Sequence, residues 1–467
     1  VLEYFTKGFS VINASNAKKV YSMKKALQLI ILLALLTVLL YSGRNKLVAF
    51  YYNRGDDRYQ RHAYKEAISY LKKAVKLDPG IVGIHYMLGN AYLEEKLEAD
   101  AVKEYTKAIQ LDNRFSWGYK ALAHLYFSRG SYQEALEVLK KATAVIPNDQ
   151  EINDLADHVT YEYKAFLVNA GVEAFLARDK DKAYALIAKA LEVDPEFIFA
   201  RYLSGYFYYS DHKYSQAESA LKEALRQDNQ FFPAHTLLGD IYFEKNNFLN
   251  AAREYKAALA INPKDAFVLN NLGLACMNME NYNEALLFLK EAARLQPENA
   301  NIRYSLASVY RDNGRFDDAL LEYKTLLGLN PDYPNAHNDL GDIYKQLGQK
   351  TEASEAYKEE ISICQARLRS LPEDFMSLNS IARAYNGIAG YNLAEEFIDK
   401  ALAVNPDYQE AYLTLASVYK NTGKTKEALE ALEKAGKLST RKYSFIERQI
   451  KDAKQLLSLA KDKVVAQ

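Results

Sequence analysis

Apolar and polar residues fall in two regimes along this chain. Residues Ala26 to Gly43 read ALQLIILLALLTVLLYSG, with no charge and only Gln28, Thr37 and Ser42 as polar side chains. A helix of that length reaches about 27 Å, close to the roughly 30 Å of a hydrocarbon layer. The run predicts a transmembrane helix over 23–43. Two other readings are a cleaved signal peptide and a buried core helix. Met23-Lys24-Lys25 ahead of an apolar run is how a signal peptide opens, but Leu40-Tyr41-Ser42 offers no small-x-small cleavage site. Residues 1–22 begin with Val1, and Met23 reads as the natural start, so this segment is expected to come from a mis-called start. Lys18, Lys19, Lys24 and Lys25 on one side and Arg44, Lys46, Arg54 and Arg58 on the other give no positive-inside asymmetry. The signal-like opening leads to the expectation that the rest of the chain lies on the extracytoplasmic, periplasmic side of a membrane.

Beyond Gly43 the apolar spacing becomes three and four, the mark of amphipathic helices. It repeats. Leu/Ile-x-Pro recurs as Leu77-Asp78-Pro79, Ile261-Asn262-Pro263, Leu295-Gln296-Pro297 and Leu329-Asn330-Pro331, and the last three prolines are 34 residues apart. Asn113 and Asn229 take the proline slot in other periods. Glycine stands about 24 residues before the marker (Gly89, Gly205, Gly239, Gly273, Gly341), and alanines stand about 12 and 5 before it (Ala251 and Ala258, Ala285 and Ala292). Each period reads as helix A, a polar turn and helix B, with proline stopping helix B and starting the next helix A. The small residues mark close helix crossings, where a larger side chain overpacks at about 1–3 kcal/mol.

One period gives His235, Leu238, Gly239, Tyr242, Ala251, Tyr255, Ala258 and Pro263, and another gives His85, Leu88, Gly89, Tyr92, Ala101, Tyr105 and Ala108. These residues resemble the tetratricopeptide-repeat (TPR) family, whose 34-residue pattern they fill in order. The resemblance implies an all-α fold, a right-handed α-solenoid of helix-turn-helix units, here preceded by one transmembrane helix. Units are placed at 48–81, 82–115, 116–149, 164–197, 198–231, 232–265, 266–299, 300–333, 334–374, 375–408 and 409–440. The first unit has Arg54 and Arg58 in apolar slots, as a solvent-facing end repeat would. Residues 441–467 (Phe445, Ile446, Ile450, Leu456, Leu457, Leu459) read as an amphipathic capping helix. Residues 150–163 are inserted in helical phase. They read either as a lengthened helix A or as a protruding docking helix. Seven extra residues lengthen helix B near 361–371, and Glu360 stands where alanine is usual.

Composition narrows the chemistry. Lys plus Arg number 60 and Asp plus Glu number 60, so no basic face for nucleic acid is expected. Cys276 and Cys364 form neither a disulfide framework nor a metal motif. Three of the seven histidines, His85, His235 and His337, fall in a packing slot of helix A. No nucleophile elbow, zinc-protease or phosphate-loop motif is present. No enzyme activity, cofactor, metal or small-molecule substrate is expected.

In the family, ligand peptides lie in a concave groove lined by helix A. The slots that the resemblance assigns to that groove are aromatic in the N-terminal half: Trp117, Phe127, Phe175, Phe199, Tyr202, Tyr206 and Tyr209. In the C-terminal half they are polar: Asn270, Asn301, Asn338, Asn379 and Arg383, with Asn278, Asp342 and Asn386. Aromatic rings supply anchoring area and asparagine supplies a donor and an acceptor for a peptide backbone. The alternative is that the rings pack on one another and the amides are soluble surface. A Lys/Asn clamp for a C-terminal carboxylate is not matched, because His124 stands where Asn is needed beside Lys120. The function implied is a membrane-anchored scaffold binding protein or peptide partners, for assembly of cell-envelope or membrane complexes, similar to bacterial membrane-anchored TPR proteins. Two other functions fit: a targeting subunit for an enzyme such as a glycosyltransferase, and a secreted binder.

Overall fold

The computed structural model describes residues 17–438 and 449–455, with side chains from Met23 onward. All elements among them are α-helices. The chain divides into two compact units, 1–178 with 192–194 and 179–191 with 195–467.

The first unit opens on α1, Ala17–Gln60, one unbroken helix of 44 residues. Gly43 does not interrupt it. From Met23 to Leu47 every residue of α1 is exposed and the apolar stretch packs against nothing described; burial begins at Val48. The last third of α1 is therefore helix A of the first repeat. It lies on α2 (Tyr64–Leu77), with Gly55 so close that a Cβ there would stand 2.7 Å from Leu71 Cγ. Next come α3 (Val82–Glu94), α4 (Glu98–Leu111), α5 (Ser116–Ser128) and α6 (Tyr132–Val145). Helix α7, Gln150–Leu176, is twice the usual length. Asp149 caps it, accepting from Ile152 N, and Ile152, Leu155, Val159 and Tyr163 are buried. The insertion is thus a lengthened helix A rather than a protrusion.

The second unit takes in most of α8 (Lys180–Val193) and then runs α9 (Ile198–Ser210), α10 (Tyr214–Gln227), α11 (Phe232–Glu244), α12 (Phe248–Ile261), α13 (Ala266–Asn278) and α14 (Tyr282–Leu295). It continues through α15 (Ala300–Asp312), α16 (Phe316–Leu329), α17 (Ala336–Gln346), α18 (Lys350–Ser370), α19 (Phe375–Gly387), α20 (Tyr391–Val404), α21 (Gln409–Asn421) and α22 (Thr425–Leu438). Helix α18 has 21 residues where other helices B have 14. Residues 449–455 are helical, and Ala453 and Ile450 pack on Ala416, Ala431 and Leu432. The rest of the expected capping segment lies outside the described residues.

Three recurring contacts explain the sequence period. First, the helix A glycine receives the large side chain of helix B: a Cβ on Gly239 would meet Tyr255 at 2.5 Å, and one on Gly273 would meet Leu289 at 2.5 Å. Where that side chain is tyrosine, its hydroxyl donates to the residue after the glycine: Tyr105 to Asn90 (2.7 Å), Tyr255 to Asp240 (2.7 Å) and Tyr357 to Asp342 (2.5 Å). Second, the polar residue near the start of helix A ties back to a carbonyl six residues earlier. His85 and His235 donate to Pro79 and Asn229, Arg303 to Pro297, and Tyr412 to Pro406. Third, the turn between the helices passes through left-handed backbone at Asn246, Glu280, Gly314 and Gly348 alike. Glu360 and Cys364 are buried together on α18, and burial raises the glutamate pKa.

Candidate functional site

Phe199, Tyr202, Tyr206 and Tyr209 fall at spacings of three and four along α9, so they form one stripe. Ala200, Leu203 and Phe207 fill the opposite, buried face. The Phe199 and Tyr202 rings lie nearly parallel with centroids 6.1 Å apart; Tyr202 meets Phe231 edge-on at 5.7 Å, and Tyr209 approaches Tyr214 at 6.0 Å. Even so the stripe stands open, with Phe199 45% and Tyr206 40% exposed. Burial raises the Tyr202 phenol, and burial with Asp240 and Glu244 nearby pushes Tyr209 up to about 12. The hydroxyls therefore stay neutral donors, and the stripe offers apolar area edged with hydrogen-bonding tips.

In the first unit, Trp117 is 57% exposed and carries the Lys120 ammonium 4.1 Å from its ring centroid. Lys120 also pairs with Glu151. Phe127 is half-buried and meets His158 edge-on at 5.3 Å and Tyr132 at 5.7 Å. Tyr132 in turn stacks on Tyr163 at 5.5 Å and leans on Phe166 at 5.4 Å. Phe175 is half-buried near the end of α7. Burial, then His158 and Lys120, lower the His124 pKa, so this imidazole is held towards its neutral form. Tyr132 and Phe166 were not anticipated as part of this surface. Tyr132 opens α6, a helix B, and Phe166 is the third residue of the unit at 164–197, which is not a slot assigned to the groove.

The polar positions divide. Asn301 is exposed and accepts from the Tyr333 hydroxyl at 2.9 Å. Asn270 is half-buried and donates to Asn271, which donates to Asp240. Asn338 and Asn379, expected to face a ligand, are instead 0% and 7% exposed. Helix α19 lies on the inner side of α17: Asn338 donates to the Ser380 carbonyl at 3.0 Å, and Ser380 Oγ donates to Asn335 at 2.6 Å. Arg383, also expected to be available, is shared between Asp339 and Asp342. Asp339 is buried and further holds Arg311 at 3.0 Å and the Tyr304 and Tyr323 hydroxyls at 2.8 and 3.2 Å. Burial opposes its charge, but Arg383 and Arg311 outweigh that and hold the carboxyl below its ordinary range. Asp339 and Arg311 went unnoticed in the sequence, since each looks like an ordinary surface charge.

Both thiols are buried, with burial raising Cys276 to about 11 and Cys364 to about 12. Among the described residues no group of His, Cys, Asp and Glu is arranged to hold a metal.

Fold and site together define an array of near-identical helix pairs that presents an aromatic helix face. Family models described as TPR repeat match residues 239–280 and 307–348. Models described as Tetratricopeptide repeat match 277–321 and 391–439, 52–114, and 119–149 and 334–366. The chain belongs to the tetratricopeptide-repeat family. Relatives include the Hsp70-Hsp90 organizing protein of Triticum aestivum, 25% identical over 101 residues, or 22% of this chain and 17% of that protein. Serine/threonine-protein phosphatase 5 of Mus musculus is 28% identical over 98 residues, 21% of this chain and 20% of that protein. The chain thus matches about a fifth of the length of these relatives. Among solved structures, yeast Tom70 is 17% identical with a TM-score of 0.41, covering 91% of this chain and 99% of that one. MamA is 29% identical with a TM-score of 0.29, covering 36% and 95%.

Proposed function

We propose that this protein-binding TPR array is held to a membrane by α1 and takes an extended, partly apolar segment of a partner protein along the α9 stripe. On this reading the chain is a scaffold for membrane or cell-envelope complexes, with its repeats on the extracytoplasmic side. The observation that carries the binding site is the open stripe of Phe199, Tyr202, Tyr206 and Tyr209. Apolar surface left partly uncovered on a soluble face is characteristic of interaction sites, and Tyr and Phe are efficient anchors. Membrane attachment rests on the apolar stretch of α1, which is long enough to span and has no packing partner among the described residues.

The test places a photo-crosslinking residue at Tyr206, with a control at exposed Ser219 on α10, in native membranes. Adducts at Tyr206 and not at Ser219, extracted only with detergent, are expected. Adducts at Ser219 alone would move binding to the helix B surface. Release of the protein by alkaline carbonate would remove the membrane from the proposal.

A further inference from the structure

Asp240 follows Tyr206 by one repeat of 34 residues, and Glu244 comes one helical turn after it on α11. Both carboxylates lie beside the aromatic stripe. After burial they are the strongest influences raising the Tyr209 phenol, and Asp240 also acts on Tyr202. The two donors to the half-buried Asp240 are the Tyr255 hydroxyl at 2.7 Å and the Asn271 amide at 3.2 Å, and both go to Oδ1. Oδ2 accepts from no described group. Asn270, which donates to Asn271, has a buried Oδ1 that also lacks a donor.

No cation among the described residues balances this charge. Helices α11 and α13 contain no Lys or Arg, and His235 of α11 is taken by Glu254. The one basic side chain of α9, Arg201, donates to the Pro195 carbonyl at 2.6 and 3.1 Å. Asp339 of α17, by contrast, holds both Arg311 and Arg383. A carboxylate drawn out of water without a counter-ion is costly, so a surface that keeps one gains when a partner brings the cation. The faces of the neighbouring tyrosine rings carry negative charge density and attract an ammonium or guanidinium group. Among the described residues Asp240 and Glu244 belong to no group that could hold a metal ion, which leaves an organic cation.

We infer that Asp240, flanked by the Tyr202 and Tyr209 rings, receives a Lys or Arg side chain of the partner segment. That segment sets a basic residue beside apolar ones, and the apolar residues lie on Phe199 and Tyr206. The inference rests on the α9 stripe being the binding surface and is tested so that the two can fail separately.

The full chain in detergent is panned against random linear peptides displayed on phage, and enriched peptides are remade with a fluorophore for anisotropy. Enriched sequences are expected to set Lys or Arg beside apolar residues and to lose binding to the double variant Phe199→Ala, Tyr206→Ala. Asp240→Asn is expected to weaken them about tenfold or more, and so is replacing the basic residue of the peptide by neutral acetyl-lysine or citrulline. The two changes remove one attraction, so together they are expected to weaken binding no further than either alone. Glu298→Gln, at an exposed carboxylate in the turn before α15, is expected to change nothing. Peptides that need Phe199 and Tyr206 but carry no Lys or Arg, bind Asp240→Asn undiminished, or show two losses that add, overturn the cation subsite and leave the α9 surface standing. No enrichment at all, or peptides indifferent to the double variant, overturns both. Asp240→Asn keeps an acceptor for Tyr255. If circular dichroism nevertheless shows it misfolded, the neutral peptide on the unaltered chain decides, and equal affinity for charged and neutral peptides overturns the subsite.

Discussion

Along α9 the outward slots of helix A hold aromatic rings that stand partly open, whereas in α17 and α19 the comparable slots hold Asn338, Asn379 and Arg383, turned towards groups of the protein. The two regions share repeat type and compact unit. They differ in the length of a helix B and in which side chains meet where one helix A packs on the next. Helix α10 has the ordinary 14 residues, while α18 has 21, and the helix after it comes to rest along α17. Packing of one helix A on the next turns a potential ligand surface into internal packing, and it does so across the ordinary α20 as well, where Asn386 donates to Ser417 on α21. Arg383 and the Asn338 amide nitrogen meet groups of the protein that a partner peptide would otherwise supply, while the buried Oδ1 atoms of Asn338 and Asn379 have no hydrogen-bond partner. The proposed binding surface is the aromatic region, and the polar region carries the ion pairs between successive helices.

The largest effect expected from this comparison is at two carboxylates, the buried Asp339 and the half-buried Asp240. Asp339 faces two guanidinium groups, while Asp240 faces only the Tyr255 hydroxyl and the Asn271 amide. Burial dominates at Asp240 and raises its pKa; at Asp339 the arginines win and lower it. Asp339→Asn removes the buried carboxylate that two half-buried guanidinium groups share and is expected to cost about 3 kcal/mol at neutral pH, the lower end for a broken buried pair. Asp240→Asn keeps an acceptor for Tyr255, as Asn90 does for Tyr105, and is expected to be neutral or stabilising. Their pH dependences have opposite signs. The contribution of Asp339 is present above the ordinary carboxylate pKa and fades as pH falls through its lowered value. That of Asp240 is full below the ordinary pKa and is lost as pH rises through its raised value. Urea unfolding of both variants between neutral and mildly acid pH checks this, and equal losses at neutral pH would erase the distinction.

A smaller effect separates binding from stability. With the crosslinker at Tyr206, Phe199→Ala combined with Tyr209→Ala is expected to lower adduct yield at least about tenfold, in keeping with more than 1 kcal/mol for each anchoring ring. The melting midpoint should shift less than in Asn338→Ala, because Phe199 is exposed and Tyr209 only half-buried. Asn338→Ala is expected to do the reverse, lowering the midpoint while leaving adducts unchanged. Loss of adducts in Asn338→Ala without a change in midpoint would return the polar region to the binding site.

Much of this was readable in the residues themselves. Proline spacing, the helix A glycine and the large helix B side chain announce helix pairs, because each is demanded by a contact inside one pair. The extra length of α18 was visible as a 41-residue unit at 334–374. The burial of Asn338 and Asn379 was not, since counting slots names a face of helix A and not the groups of the next helix A that meet it. The continuity of α1 was hidden for a similar reason. Gly43 looks like a boundary in sequence, yet a helix tolerates a single glycine when both flanks are helical. The aromatic grouping of Tyr132, Tyr163 and Phe166 joins the start of α6 to two successive positions of α7, a contact that slots counted within single units do not reveal.

The smallest effect asks whether the longer α18 altered the next hairpin or only its placement. Ala389, in the turn between α19 and α20, has φ of +62°, the conformation that Gly348 and Gly423 adopt in neighbouring turns at +77° and +76°. An L-residue is penalised there by about 1–2 kcal/mol, whereas glycine forfeits roughly 0.5–1 kcal/mol of chain entropy on folding. Ala389 has no side-chain hydrogen bond to lose, so Ala389→Gly is expected to stabilise the array by about 0.5 kcal/mol. A small rise in the urea midpoint would show that the α19–α20 hairpin keeps the common turn and that the departure lies wholly in how it docks on α17. A fall of about 1 kcal/mol, the ordinary cost of glycine for alanine in right-handed backbone, would mean that the turn itself had changed, and the burial of Asn338 and Asn379 would then need a cause inside the hairpin.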